Sequence, residues 1–464
     1  MRNSMLRSRR FPIIFSFIII IALLGLVFEY SYSHLDHQTL FPEVGKPDLP
    51  WLATSTTFWA AFAPLLAAAA PRCPPPKLEG KAQPISVQNR RSANHIVMDE
   101  KDIEMMRRSH TWFVRQLVQN APKLEYEDAT RGIVTSAGGD YFPPLLVSLR
   151  FLRRTGSTLP VEVFLASPDE YESLMCETIL PSLNAKCLII SDITGRHDLP
   201  FSFSRYQLKA FAILFSSFES VLFLDADNFP AYSPDELFTS EPFTSKHLVL
   251  WPDYWIPTPS ETLSTIIGLK GSILNERPTI EAGQILVNKK HQTEALLLAA
   301  YYNAYGDYYY HLMTQGGAGE GDKETFSVAA LVLGKSFYTV SQLPRPFGMP
   351  GNGAAVLQAD PMEDFKAKGR KTPRPFFIHA SWPPKLNPAH NYQSSRQWGD
   401  EQRSLKMFNG LDVELVAWGY MVQMACDEKM TFKSWGNETH KAICGQTKRS
   451  FQKMFGREYN DLDG

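Results

Sequence analysis

The 464-residue sequence lacks a charge excess of either sign, with 47 Lys and Arg against 48 Asp and Glu and a formal charge of -1. Binding to a polyphosphate backbone calls for a concentrated surplus of Lys and Arg, so nucleic acid is excluded as a partner. Low-complexity character is lacking as well. A composition of 44% hydrophobic and 12% aromatic residues fills a large core and excludes disordered and collagen-like classes for most of the chain. Cysteine is scarce, five in all, and no CxxC or Cys/His spacing suggests zinc. Cys176 with Cys187, and Cys426 with Cys444, bracket short segments. That spacing predicts two local disulfides, leaves Cys73 free or intermolecular, and fits a lumenal compartment. The one glycosylation acceptor pattern, Asn437-Glu-Thr439, fits the same location.

Long uncharged runs are few. Phe11 to Phe28 carries no charge in 18 positions and is flanked by Arg7, Arg9 and Arg10 before it and Glu29 after it. As a helix it spans about 27 Å, the thickness of an early secretory membrane. The arginines should stay cytoplasmic, which gives a type II arrangement: tail 1–10, transmembrane signal anchor 11–28, stem or linker 29–98 and a lumenal domain 99–464. A cleaved signal peptide is the alternative, but the run exceeds the usual apolar core of about 7 to 15 residues, and Glu29-Tyr-Ser-Tyr32 is a poor cleavage site. A second uncharged stretch, Leu52 to Pro71, is weaker and has Pro64 in its middle. It reads as stem or interfacial segment, with a second span as the alternative. Pro71 through Pro84 reads as an extended spacer.

The body alternates strands and helices. Asp99 to Leu124 has helical apolar spacing. Gly132–Ala137 is then a buried strand, Gly138-Gly139-Asp140 a tight loop, Pro143 to Arg154 a helix and Val161–Ala166 a second strand. Pro168 to Leu183 reads as a helix, Cys187–Ile190 as a strand, and Tyr206 to Phe218 as a helix running into Val221–Asp227. The fold class is therefore α/β with parallel strands and right-handed crossovers. Ligands bind such sheets beyond the carboxyl ends of the strands, where Gly138, Gly139, Asp225 and Asp227 fall together.

Asp225-Ala-Asp227 follows four apolar residues, so one strand end delivers two carboxylates. Their repulsion calls for a shared proton or a divalent cation, and hard oxygen ligands suit Mg²⁺ or Mn²⁺ holding a diphosphate. Aspartyl-phosphate chemistry also uses such a pair, but there the motif opens its domain, whereas here at least three strands precede it. Trp251-Pro-Asp253-Tyr-Trp255 closes another strand, and Trp251, Asp253 and Trp255 could hold a sugar by stacking and hydrogen bonding. The tyrosines between Tyr301 and Tyr310 read as core.

Four motifs carry a resemblance: Val221-Leu-Phe-Leu-Asp-Ala-Asp-Asn-Phe-Pro230, Gly132-Ile-Val-Thr-Ser-Ala-Gly-Gly139, Glu281-Ala-Gly-Gln284 and Gly321-Asp-Lys-Glu-Thr-Phe326. In this order they resemble the fungal Golgi α-mannosyltransferases that build and branch the outer chains of N-glycans, the α-1,2 branch initiators more than the α-1,3 terminal enzymes. The resemblance covers roughly Gly132 to Cys444. It implies a GT-A-like, Rossmann-type nucleotide-sugar-binding sandwich, GDP-mannose as donor, Mn²⁺ or Mg²⁺, a mannose-terminated glycan acceptor and retention of anomeric configuration. It also implies a Golgi membrane location, in a mannosyltransferase complex or as a homo-oligomer. A binding protein of the same fold without turnover is the competing class, and the intact carboxylate pair argues against it.

Carried over residue by residue, the resemblance makes Asp227 the direct metal ligand and Asp225 a ribose or second metal contact. His379, which ends the apolar run Phe376–His379, completes the metal shell, unless it is a strand-end histidine bonded to backbone. Lys209 faces the diphosphate or snorkels to solvent. Retention requires a carboxylate opposite the leaving group or a front-face reaction, with Glu281, Asp322 and Glu324 as candidates. Asp322 could instead cap a helix. Asp322 and Lys323 follow a glycine-rich loop and read as a substrate-closing element, and Glu281 and Gln284 could bind acceptor hydroxyls.

Overall fold

Buried residues alternate between two opposite faces along the central strands, and this period of two organises the molecule. In the computed structural model, which describes residues 49–83, 94–195, 206–348, 354–381 and 385–459, Ile133, Leu222 and Leu286 face one core. Val134, Val221, Phe223, Ile285 and Val287 face the other. Burial on both faces explains why Val221 to Leu224 is apolar throughout.

The strands are β1 (Glu127–Ser136), β2 (Val161–Leu165), β3 (Ala185–Ile189), β4 (Phe218–Leu224), β5 (Asn228–Pro230), β6 (Leu248–Pro252), β7 (Ile280–Asn288), β8 (Tyr338–Thr339), β9 (Arg345–Gly348), β10 (Ala354–Ala359) and β11 (Pro375–His379). Seven form a mixed sheet in the order β8-β6-β7-β4-β1-β2-β3, in which β7 runs antiparallel to β4 and β6 and the other pairs are parallel. An antiparallel sheet of order β9-β10-β11-β5 pairs His379 with Asn228. The α/β reading and its parallel crossovers therefore hold, with β7 as the one reversed strand of the central sheet.

The principal helices are α1 (Leu49–Ala68), α2 (Glu100–Asn120), α3 (Phe142–Arg154), α4 (Gln207–Phe215), α5 (Thr293–Ala304), α6 (Gly306–Thr314), α7 (Thr325–Val332), α8 (Val413–Cys426) and α9 (His440–Phe455). α1, α2 and α4 to α7 cover one face of the central sheet. α3, α8, α9 and the second sheet pack on the other. The helix expected from Pro168 to Leu183 is broken. A short turn at Pro168–Glu170 precedes a wide helical turn at Leu174–Ile179, where Leu180 N bonds to Met175 O. Pro181 has no N–H to continue a regular ladder. Disulfides join Cys176 to Cys187 and Cys426 to Cys444, the latter tying α8 to α9. Cys73 is a buried free thiol, pushed up to about 11 by burial and by Asp102.

The reading of 29–98 as a stem needs correction where the chain is described. α1 buries Trp51, Phe58, Trp59, Phe62 and Leu66. Trp59 meets Phe211 and Phe215 at 6.0 and 5.7 Å, and Phe62 meets Phe113 at 6.3 Å. Each such side chain contributes about 2 kcal/mol of burial. The hydroxyls of Tyr305 and Tyr301 donate to Leu66 O (2.6 Å) and Ala69 O (3.1 Å), carbonyls at the end of α1, where the regular helical ladder runs out. Downstream, Lys77–Leu78 pairs with Ile96–Val97, and Ala82 N donates to Gln315 O. The uncharged stretch 52–71 is thus largely a core helix, its Thr54, Thr56 and Thr57 hydroxyls bonded to carbonyls of its own preceding turn. Among the described residues no helix is long and apolar enough to cross a membrane. The anchor expected at 11–28 and the tail before it lie outside the described residues.

Candidate functional site

The carboxyl ends of β1, β4 and β6, with the start of the reversed β7, form one edge of the central sheet. β4 ends at Leu224, and a tight turn in which Asn228 N donates to Asp225 O (2.9 Å) carries the chain into β5. Asp225 at the start of this turn and Asp227 near its end both face one histidine. β11 lies beside β5 and brings His379 to them.

Oxygens of Asp225 and Asp227 and a ring nitrogen of His379 lie within 4.8 Å of one another. His379 Nε2 is 3.2 Å from Asp227 and 3.8 Å from Asp225, and Nδ1 is 3.1 Å from Glu281 Oε1. The alternative of a histidine bonded to backbone does not describe this ring. Glu281 in turn accepts from Gly283 N (2.8 Å) and Gln284 Nε2 (2.7 Å), and Gln284 Oε1 accepts from Asn228 Nδ2 (2.7 Å). Burial opposes charge on His379, but Glu281 and Asp227 outweigh it and raise its pKa to about 10. Burial likewise opposes ionisation of Asp227 and Glu281. His379 reverses this for both, with help from Lys385 at Asp227, which falls well below the carboxylate range, and from Lys209 at Glu281, which falls to about 2.

Two lysines complete the network. Lys209, on α4, does not snorkel: it is buried, pairs with Asp225 and Asp322 at 3.2 Å each, and donates to Ala282 O (2.5 Å). Burial works against its charge, but Asp225, Asp322 and Glu281 raise its pKa overall. Lys385 contacts Asp227 and was missed by the sequence reading, since nothing in its local pattern marks it. Four carboxylates, Asp225, Asp227, Glu281 and Asp322, thus meet two ammonium groups. With His379 neutral, the surplus is two negative charges, which a divalent cation cancels. Two carboxylates and an imidazole also form a donor set suited to Mn²⁺ or Mg²⁺, with Glu281 holding the far side of the imidazole. The residues present fit such an ion.

The remaining candidates divide. Asp322 is buried and turned to Lys209 rather than capping a helix, and burial raises its pKa against that lysine. Glu324 lies in the same turn but is fully engaged: it pairs with Arg277 (2.5 Å) and accepts from Ile280 N (3.0 Å) and the Thr279 hydroxyl. It pins the start of β7 and is not presented to a substrate. Trp251 is wholly buried, its indole N–H bonded to Ala359 O (2.9 Å) and its ring edge-on to Phe377, so it offers no stacking face. Asp253 is paired with Lys323 at 3.0 Å, and Trp255, exposed, stands beside Tyr254 at the rim. Gln284 is buried behind Glu281 and orients it instead of meeting an acceptor hydroxyl. Gly138 and Gly139 follow β1 with φ of 141° and 52°, and a β-carbon on Gly138 would strike Glu170 at 2.8 Å. Tyr141, two residues after Gly139, is exposed at the site mouth, near enough to Lys385, Asp227 and Asp225 to feel their charge. Asn437 is exposed between α8 and α9.

A mannosyltransferase family model matches residues 130–277 and 273–368. The chain is 34% identical over 433 residues to the α-1,2-mannosyltransferase MNN21 of Candida albicans, covering 75% of this chain and 65% of that protein. It is 39% identical over 298 residues to MNN24 of the same organism, covering 55% and 41%. With the α-1,2-mannosyltransferase MNN2 of Saccharomyces cerevisiae it shares 35% over 308 residues, covering 57% and 51%. The matches thus span less than two thirds of each relative's length. Among solved structures, the galactosyltransferase LgtC with donor and acceptor sugar analogs aligns over 45% of this chain and 73% of its own at 16% identity and a TM-score of 0.31. The glycosyltransferase GlyE of Streptococcus pneumoniae aligns over 73% and 66% at 13% identity and a TM-score of 0.34. Both likenesses are too distant to argue from.

Proposed function

The chain belongs to this mannosyltransferase family, and from that membership we propose that it transfers mannose from GDP-mannose to a mannose-terminated N-glycan or mannan chain. The new linkage is α-1,2, formed with retention of configuration on a GT-A-like fold. The observation that carries the reading is the convergence of Asp225, Asp227 and His379 within 4.8 Å at the ligand-binding edge of the sheet. The names of the relatives support the linkage.

Asp225, Asp227 and His379 would hold Mn²⁺ or Mg²⁺, which when bound supplies the positive charge that stabilises a departing diphosphate. Glu281 orients the imidazole by taking its Nδ1 proton in a hydrogen bond, so that Nε2 faces the two aspartates. Lys385, beside Asp227 at the mouth, adds a second cation for the diphosphate. Retention requires a carboxylate behind the anomeric carbon, or a front-face reaction in which the diphosphate accepts the incoming hydroxyl proton. Glu281 is committed to His379, Gly283 and Gln284, which favours Asp322 for the first role. Lys209, 3.2 Å away, opposes the upward pull of burial on the Asp322 carboxyl pKa. Exposed Trp255 and Tyr254 at the rim provide a stacking surface for the acceptor.

The catalytic domain is proposed to lie in the Golgi lumen behind a single amino-terminal anchor, an orientation that the two disulfides and exposed Asn437 support. Protection of the carboxyl terminus from protease in sealed vesicles tests it. Activity is tested with the purified full chain, GDP-mannose, Mn²⁺ and an α-1,6-mannan acceptor. GDP release and an α-1,2-linked product are expected. Release of nucleotide from no nucleotide sugar overturns the reading, whereas an α-1,3 product overturns the linkage alone.

A further inference from the structure

The segment Gly316–Gly321 joins α6 to the turn that carries Asp322 and Lys323. Gly316, Gly319 and Gly321 have φ of +69°, +71° and +152°, conformations open to glycine and strained for other residues. Such a loop has many paths available, yet one side chain gathers it. Glu320 Oε2 accepts from Thr314 Oγ1 and from Gly316 N, both at 2.7 Å, and Oε1 lies 2.9 Å from His311 Nδ1. Three groups on the last turn of α6 and the first residue of the loop therefore meet a carboxylate four residues further on. Beyond it, Lys323 Nζ donates to Ala318 O (2.8 Å) and pairs with Asp253, while Asp322 pairs with Lys209.

We propose that His311 and Glu320 form a positioning clasp that fixes the path of the glycine-rich loop and so the placement of Asp322 against Lys209 and of Lys323 against Asp253. Neither residue reaches the carboxylate cluster itself; both act through the loop. The kinetic consequence rests on the transferase reading above, whereas the ordering of the loop does not.

The clasp depends on charge. The groups that face it are Asp307 on the same helix and Lys81, whose stem packs on Gly316 from the upstream segment. Glu320 raises the pKa of His311 against the effect of burial. At Glu320 burial opposes ionisation, but His311 and Thr314 outweigh it and the pKa falls. The sign follows for each partner: the histidine contribution is complete at pH below its ordinary range and is lost as pH rises through the raised value. The glutamate contribution is lost as pH falls through the lowered one.

The test compares the full chain with Glu320→Gln, Glu320→Ala and His311→Gln, measuring hydrogen exchange at residues 316–323 and the pH dependence of kcat and KM. In wild type, exchange in the loop, corrected for its intrinsic pH dependence, should quicken as His311 loses its proton. Glu320→Ala should exchange fast at every pH and lower kcat roughly tenfold to a hundredfold with donor KM changed by less than about threefold. Glu320→Gln keeps an acceptor for Thr314 and Gly316, so it should recover part of the rate, and both it and His311→Gln should lose the pH-dependent change in exchange. Equal loop exchange in wild type and Glu320→Ala, or a wild-type pH response retained in both Glu320→Gln and His311→Gln, overturns the clasp. If the wild type turns over no nucleotide sugar, the transferase reading fails and the exchange measurements still decide the clasp.

Discussion

Gly283 and His379 fix each other's place: a β-carbon on Gly283 would lie 2.5 Å from His379 Nδ1 and 2.7 Å from Glu281 Oε1. The glycine in Glu281-Ala-Gly-Gln284 is therefore a packing requirement of the imidazole, independent of backbone conformation. Gly283→Ala should displace His379 and weaken Mn²⁺ binding by roughly 10- to 100-fold, as loss of a supporting contact does, while the fold persists. Manganese titration followed by electron paramagnetic resonance, beside a circular dichroism spectrum, checks both.

Metal binding should compete with a proton. His379 carries one up to about pH 10 in the metal-free protein, and an imidazole that binds a metal must release it. Apparent Mn²⁺ affinity should climb with pH across the neutral range, with about one proton released per ion. Calorimetry in buffers of different ionisation enthalpy reads that number directly, and zero would remove His379 from the metal shell.

Metal-free stability should fall on both sides of a window. Asp227 and Glu281 titrate below their ordinary values, so their contribution is present above about pH 4 and is lost on acidification. His379 titrates above its ordinary value, so its contribution is complete below about pH 6.5 and drains away as pH rises towards 10. Melting temperatures in chelator should therefore peak between these limits, and Glu281→Gln should flatten the alkaline decline.

Lys209→Met should destabilise the protein by about 3–5 kcal/mol, because it leaves buried carboxylates without their counter-ion. Adding Asp322→Asn should restore part of that loss, a coupling that chemical denaturation of the double mutant measures. Activity should not return with stability.

Trp59→Ala should cost about 3–5 kcal/mol, and a truncation to Asp99 should lose at least as much, since both remove the face of α1 that covers Phe211 and Phe215. A true stem would tolerate both changes.

The central sheet was legible because its strands are short, apolar and separated by turn residues, and because Asp225 and Asp227 end one of them. Position at a strand end also located Gly138 and His379, whereas Glu281 was found through the resemblance of its motif. Contacts made across the fold were not legible. Lys385 meets Asp227 over 158 residues, and Gln284 turns inward because Asn228 and Glu281 bracket it. Trp251 and Glu324 illustrate the opposite error: residue types suited to sugar chemistry are spent on Ala359 and Arg277. The segment Leu52 to Pro71 was misread because uncharged Ala and Thr suggest an interface or linker, while its aromatic residues recur at helical spacing and point to a core.

The bond from Tyr305 to Leu66 spans 239 positions. During synthesis α1 therefore emerges with Trp59 and Phe62 bare, and most of the central sheet must be made before the tyrosines that close over its end exist. Such a long-range closure is a late folding event, which makes the first helix the stretch of nascent chain that a chaperone would have to shield.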